Sequence, residues 1–159
     1  MRIAIGADHT GLELKEYLIA CLRKKDYHIL DLGTNNIDPV DYADYAKAVS
    51  KALLEGLAER GILVSCNGVG ASVAASKMPG IRAGLCHDTY SAHQGVEHND
   101  MNILVLGTCV VGKELALEIV RTFLEATFAH EEPDCRNLKM INKLESIYAY
   151  NALTRREKS

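Results

Sequence analysis

The chain has 159 residues, 48% of them hydrophobic and 25% charged, and carries a net charge of −3. That length makes one domain the default, and that apolar content is enough to bury a core. No basic excess exists to neutralise phosphates, which excludes nucleic acid as a general partner, and no apolar run reaches the roughly 18 residues a membrane span needs.

The apolar pattern alternates between two kinds of segment. Arg2–Ala7 is a short strand, and the opening MRIAIGAD reads as strand and turn rather than signal peptide. Leu12–Lys25 carries Leu14, Leu18, Cys21 and Leu22 at helical spacing. His28–Leu32 is a second strand, and Ala43–Ala58 places Ala46, Val49 and Leu53 on one helical face. Gly61–Val64 is a third strand, followed by a short helix over Val69–Lys77. Ile81–Cys86, a weak helix over Tyr90–Glu97, and the strand Ile103–Leu106 come next. Lys113–Ala126 is a helix, the polar segment Ala129–Asp134 follows, and Asn137–Glu145 is the last helix. Residues 148–159 form a tail expected to be flexible or laid on a partner.

Short apolar strands alternating with helices imply a five-stranded parallel sheet covered on both faces. Right-handed crossovers then make an α/β, Rossmann-like three-layer sandwich, a single domain over 1–159. In such sheets a ligand sits at the carboxyl ends of the strands.

Polar and ionisable residues follow nearly every strand: Asp8-His9, then Asp41-Tyr42, then Ser65-Cys66-Asn67-Gly68-Val69-Gly70, then His87-Asp88, then Gly107-Thr108-Cys109. A crevice that holds a polyol needs such a set. The glycines after the third strand let the backbone turn and present N–H groups, and a helix start adds partial positive charge. Together they suit an oxyanion, and a thiol there, Cys66, is expected to be lowered in pKa and to serve as a general base. The plainer reading is a glycine-rich connection with Cys66 as a buried filler. Asp8 and Asp41 also suit helix N-caps. The loop is neither a dinucleotide fingerprint, since Val73 stands where a third glycine is needed, nor a phosphate-binding loop with Gly-Lys-Ser/Thr.

The five cysteines, at 21, 66, 86, 109 and 135, contain no C-x-x-C pair. Neither a zinc site nor a disulfide framework is indicated, and free thiols point to the cytoplasm. His93 and His98 are five apart, poor spacing for a shared metal on a helix. No metal or other cofactor is expected.

The stretches IAIGADHTGLELK, DLGT, VDYADYA, RGILV, GVGASVAASKMPGIRAGLCHDTYSA, EHNDMNILVLG and VVGKELA together resemble the ribose-5-phosphate isomerase B family, which includes the galactose-6-phosphate isomerase subunits. The resemblance covers roughly residues 1–128. It implies an aldose–ketose isomerase acting on a sugar phosphate through a cis-enediolate, without cofactor. It implies a homodimer or homotetramer whose active site lies at the subunit interface, with the C-terminal helix laid on the partner. Carried over by motif, Asp8 and His9 hold hydroxyls or help open the ring, and Asp41 and Tyr42 line the sugar pocket. The loop from Asn67 through Gly68 to Gly70 stabilises the enediolate, with Ser72 beside it. His98 opens the ring and Asn99 contacts the sugar, both from the neighbouring subunit.

Three positions depart from that pattern. Ser65 stands where the family places its cysteine base, so that Cys66 or Asp41 must supply the base. Cys109 stands where an arginine is usual. Glu131-Glu132-Pro133-Asp134-Cys135-Arg136 replaces a segment whose arginines bind phosphate. Arg136, Lys139 and Lys143 share one face of the last helix, as a substitute anion site or an ordinary solvated face. The alternatives are an isomerase for a tetrose, hexose, acidic or non-phosphorylated sugar, or a non-catalytic sugar-binding subunit of a hetero-oligomer.

Overall fold

Continuous aliphatic runs form the central strands because both of their faces are covered. The strands are β1 (Arg2–Ala7), β2 (His28–Asp31), β3 (Arg60–Ser65), β4 (Ala83–Leu85) and β5 (Ile103–Gly107). In this computed structural model residues 1–156 are described, with side chains as far as Tyr148. The strands are all parallel, in the order β2-β1-β3-β5-β4. β1, β3 and β5 are buried almost throughout, as parallel strands sandwiched between helices must be. β2 and β4 are short and only partly covered, which keeps the open edges small.

The helices are α1 (Leu12–Arg23), α2 (Tyr42–Leu54), α3 (Val69–Ala75), α4 (Thr89–Asn99), α5 (Lys113–Glu125) and α6 (Glu132–Arg156). A 3-10 turn, His9–Gly11, leads into α1. The period of two along the strands divides the core into two layers. Ile3, Ile5, Ile62, Val64, Leu104 and Leu106 pack with Leu18 of α1, Val96 of α4 and Phe123 of α5. Ala4, Leu63, Ile103 and Val105 pack on the other face with Val49 of α2 and Ala75 of α3. Each fully buried Leu or Ile in these layers contributes about 1.5–3 kcal/mol.

A buried cation fixes one end of the sheet. Lys15 of α1 has a side chain 2% exposed, and its Nζ donates to both Asp31 oxygens at 2.8 Å. Asp31 also accepts from the Gly33 N–H at 3.1 Å. This ties the end of β2 and the start of the loop to Asp41 onto α1.

The architecture matches the expected five-stranded α/β sandwich. The C-terminal region differs. Ala129–Asp134 was expected to be a polar connection before a helix at Asn137, yet α6 begins at Glu132 and runs 25 residues to Arg156. Pro133 is tolerated because a first-turn proline gives up an N–H with no intrahelical acceptor. Glu132 and Asp134 complement the positive end of the helix dipole. Most of the expected tail is therefore helical backbone, and 157–159 lie outside the described residues. Met140, Leu144, Ile147 and Tyr148 are exposed along α6.

Candidate active site

The strand order reverses between β1 and β3, and the polar strand ends collect there. The last rung between β3 and β5 pairs Ser65 with Gly107. Ser65 turns inward and is 5% exposed. Alternation turns the next residue outward, and Cys66 is exposed. The plainer reading of Cys66 as a buried filler is thus corrected. Ser65 and Cys66 stay anchored by their carbonyls, which accept from the Thr108 and Cys109 N–H groups at 2.9 Å each.

The Cys66 and Cys109 Sγ atoms lie 2.7 Å apart. That hydrogen bond is the main reason the Cys66 thiol sits above the ordinary thiol pKa; desolvation and the charges of Cys109 and Asp8 push the same way. The expectation of a lowered thiol pKa is therefore corrected. A helix start favours the thiolate, but here the bond to a second sulfur, desolvation and the charge of Asp8 favour the thiol.

Gly68 caps α3 with φ +77°, a conformation that glycine adopts without strain. A Cβ there would also clash with Leu85 Cδ1. The Val69 N–H is taken by Asn67 Oδ1 at 3.0 Å. The Gly70 and Ala71 amides are the remaining first-turn donors without an intrahelical acceptor. Tyr42, the first residue of α2, lies over Gly70 so closely that a Cβ would meet its ring at 2.5 Å. Ser72 Oγ reaches the Ala83 carbonyl at 3.4 Å, tethering α3 to β4.

Asp8 is 6% exposed and caps the turn after β1. Its Oδ1 accepts from the Thr10 and Gly11 N–H groups at 2.9 and 3.1 Å and from Thr10 Oγ1. The cap reading holds for that oxygen; Oδ2 is the one left for a ligand. His9 Nδ1 accepts from the Val40 N–H at 3.2 Å, which leaves Nε2 to carry the proton of the neutral ring. The same bond draws the loop before Asp41 toward the cleft. Asp41 occupies the N-cap position of α2 but makes no side-chain cap bond, so its exposed carboxylate is not consumed by the helix.

His98 and Asn99 are not in this cleft. α4 starts at the carboxyl end of β4 and leads back to the amino end of β5, so its last residues lie about 16 Å from its first, at the amino-terminal end of the strands. There His98 Nδ1 meets Asp134 Oδ2 of α6 at 3.0 Å, and its Nε2 lies 3.7 Å from Glu97. Asp134, more than any other group, raises the His98 pKa above its ordinary value. Asp134→Asn is expected to bring the His98 midpoint back down, read from the ring-proton shift in an NMR titration; an unmoved midpoint would show that the pair does not persist in solution. Arg136 is in the same region, paired with Glu132 at 3.1 Å. One chain therefore brings together Asp8, His9, Asp41, Tyr42, Ser65, Cys66, Asn67, Gly68 and Gly70, and holds His98, Asn99 and Arg136 apart from them.

Two residues beside the cleft were not singled out as site residues from the sequence. Cys109 touches Cys66, and His87 Nε2 accepts from the Gly107 N–H at 3.2 Å. Their positions after strands were visible, but the adjacency of β3 to β5 was not. Among the described residues no group of three or more His, Cys, Asp or Glu is placed to hold a metal ion. No helix among them is long and apolar enough to cross a membrane.

Comparison with known proteins agrees with this geometry. Residues 3–144 match the family described as Ribose/Galactose Isomerase. Ribose-5-phosphate isomerase B of Escherichia coli is 42% identical over 127 residues, 80% of this chain and 85% of that protein. D-erythrulose-4-phosphate isomerase of Pectobacterium atrosepticum is 39% identical over 133 residues, 80% and 85% of the two chains. The Clostridium thermocellum ribose-5-phosphate isomerase B structure superimposes with a TM-score of 0.91 at 42% identity, covering 93% of this chain and 99% of that one. A family match across nearly the whole domain, with the same fold, makes this chain a member of the ribose/galactose isomerase family.

Proposed function

We propose that this chain interconverts ribose 5-phosphate and ribulose 5-phosphate or a closely related sugar phosphate, with Cys66 as the proton-transfer base. The aldose–ketose isomerase class follows from family membership. The observation that carries the residue assignment is the exposed Cys66 thiol beside the free first-turn amides of α3. Cys66 as thiolate removes the proton from the carbon next to the carbonyl. The electron pair moves onto the carbonyl oxygen, and the Gly70 and Ala71 N–H groups stabilise the resulting enediolate. The protonated thiol returns the proton to the neighbouring carbon while the hydroxyl proton of the first carbon passes to the enediolate oxygen, so a new carbonyl forms as the old one becomes a hydroxyl, and oxidation of one carbon and reduction of the other balance within the substrate.

His9, through Nε2–H, and Asp8, through Oδ2, bind hydroxyls; Asp41 and Tyr42 close the pocket side. His98 of the partner subunit opens the ring and the partner's Asn99 contacts the sugar. The support for a second copy is topological, since His98 cannot reach Cys66 along its own chain. The apolar residues exposed along α6 are consistent with burial in such a homodimer. All five cysteines are free, which supports a cytoplasmic setting.

A substrate other than a pentose phosphate has its own support. Cys109 holds the place of a family arginine, and Arg136 pairs with Glu132 on the exposed face of α6. A coupled assay over tetrose, pentose and hexose phosphates and their free sugars is expected to show turnover of a pentose phosphate. Turnover of free sugars alone would replace the substrate assignment. Silence across the whole panel, with ligand-induced melting shifts retained, would leave only sugar binding.

A further inference from the structure

We infer that Cys66 and Cys109 are a dithiol modification site, at which a hydroperoxide joins the two sulfurs in a reversible intrachain disulfide. The consequence for activity rests on the reading of Cys66 as the base; the bond itself does not.

The geometry carries the inference. The two sulfurs lie 2.7 Å apart, so that a small movement reaches the about 2.05 Å of a disulfide. The backbone is already in place. Cys109 N–H donates to the Cys66 carbonyl and Thr108 N–H to that of Ser65, both at 2.9 Å, so β3 and the turn after β5 are held side by side. Neighbouring strands lie about 4.8 Å apart, within the range of Cα separations that disulfides span. Both thiols are exposed, and a small oxidant can reach them. Of the other cysteines, Cys86 is buried at the end of β4 with its thiol pushed up to about 11, and Cys21 and Cys135 are half-buried on α1 and α6.

The chemistry balances with one hydroperoxide. The first sulfur attacks the terminal peroxide oxygen: an S–O bond forms, the O–O bond breaks, and an alcohol or water leaves. The second thiol attacks that sulfenic sulfur: the S–S bond forms, the S–O bond breaks, and water leaves. Two thiols lose two electrons in total, and the hydroperoxide gains them. A dithiol reductant reverses the change by exchange. Because Cys66 is held mostly as the thiol near neutral pH, bond formation through it speeds up as pH rises.

The site is read by treating the reduced full chain with hydrogen peroxide, alkylating the remaining thiols and mapping the peptides, with turnover followed in parallel. The expected result is loss of two of the five thiols and a single Cys66–Cys109 linked peptide. Turnover is expected to fall by at least about tenfold, since the base is consumed, and to return with dithiothreitol. In Cys109→Ser the linked peptide is absent and Cys66 is trapped by a sulfenic-acid reagent instead. Five thiols still titratable, a linkage between two chains, or separate sulfinic acids at Cys66 and Cys109 would each overturn the site. A Cys66–Cys109 bond with turnover unchanged would sustain the site and remove Cys66 from the role of base.

Discussion

Replacing Cys66, the proposed base, by Ala is expected to lower kcat by about a thousandfold with little change in KM, because a positioned general base contributes roughly 10²–10⁴ to a proton transfer. The fold makes Cys66 rather than Ser65 the group to test. Ser65 is the inward residue of the last β3–β5 rung, and a hydroxyl is a poor base near neutral pH. Ser65→Ala is expected to cost far less. Equal losses from the two substitutions would return the role to Ser65, and an unchanged kcat in Cys66→Ala would transfer it to Asp41.

The pH profile of the same reaction has a definite sign. With Cys66 as the proposed base, the thiolate is the active form, and the Cys66 thiol is raised by its bond to Cys109, by desolvation, and by the charges of Cys109 and Asp8. kcat/KM therefore climbs with pH through the alkaline range, with its limb above the ordinary thiol value. Cys109→Ala removes the largest of those causes, so the limb moves to lower pH. A limb that stays in place would show that the sulfur pair does not control the titration. A raised base is less populated but more strongly proton-seeking once formed, which suits the weak acidity of a carbon beside a carbonyl.

The central strands were readable because β3 and β5 are unbroken aliphatic runs bounded by glycine and polar residues, and burial on both faces permits no other pattern. The order of those strands was not readable. It depends on how crossovers pack, and it alone puts Cys109 beside Cys66; the two are 43 residues apart in the chain. The raised Cys66 thiol was misjudged for the same reason, since its largest cause is a residue on another strand. The start of α6 was missed because Glu-Glu-Pro-Asp reads as a loop, although acids and proline are what a first helical turn accepts. By contrast, the cap at Asp8 is local and shows in the residue type alone, whereas Asp41, read the same way, makes no cap bond.

The separation of Cys66 from His98 within one chain carries the second large expected effect. Cys66→Ala and His98→Ala, each purified alone, are expected to be nearly inactive. In a two-fold symmetric dimer each site takes Cys66 from one chain and His98 from the other, so a mixed dimer holds one doubly altered site and one intact site. Random pairing of equal amounts makes half of the dimers mixed, and about one quarter of the wild-type activity returns on co-refolding or co-expression. No return, with mixed dimers confirmed by mass, would mean that both residues are needed in the same subunit, and a His98→Ala variant active on its own would mean that His98 plays no part. The α4 connection argues against the first of these. Its first residues follow the carboxyl end of β4 and its last precede the amino end of β5, so a single sheet cannot offer His98 and Cys66 to one small sugar. On the proposed reading, a second copy with its own α4 turned toward this cleft completes the set.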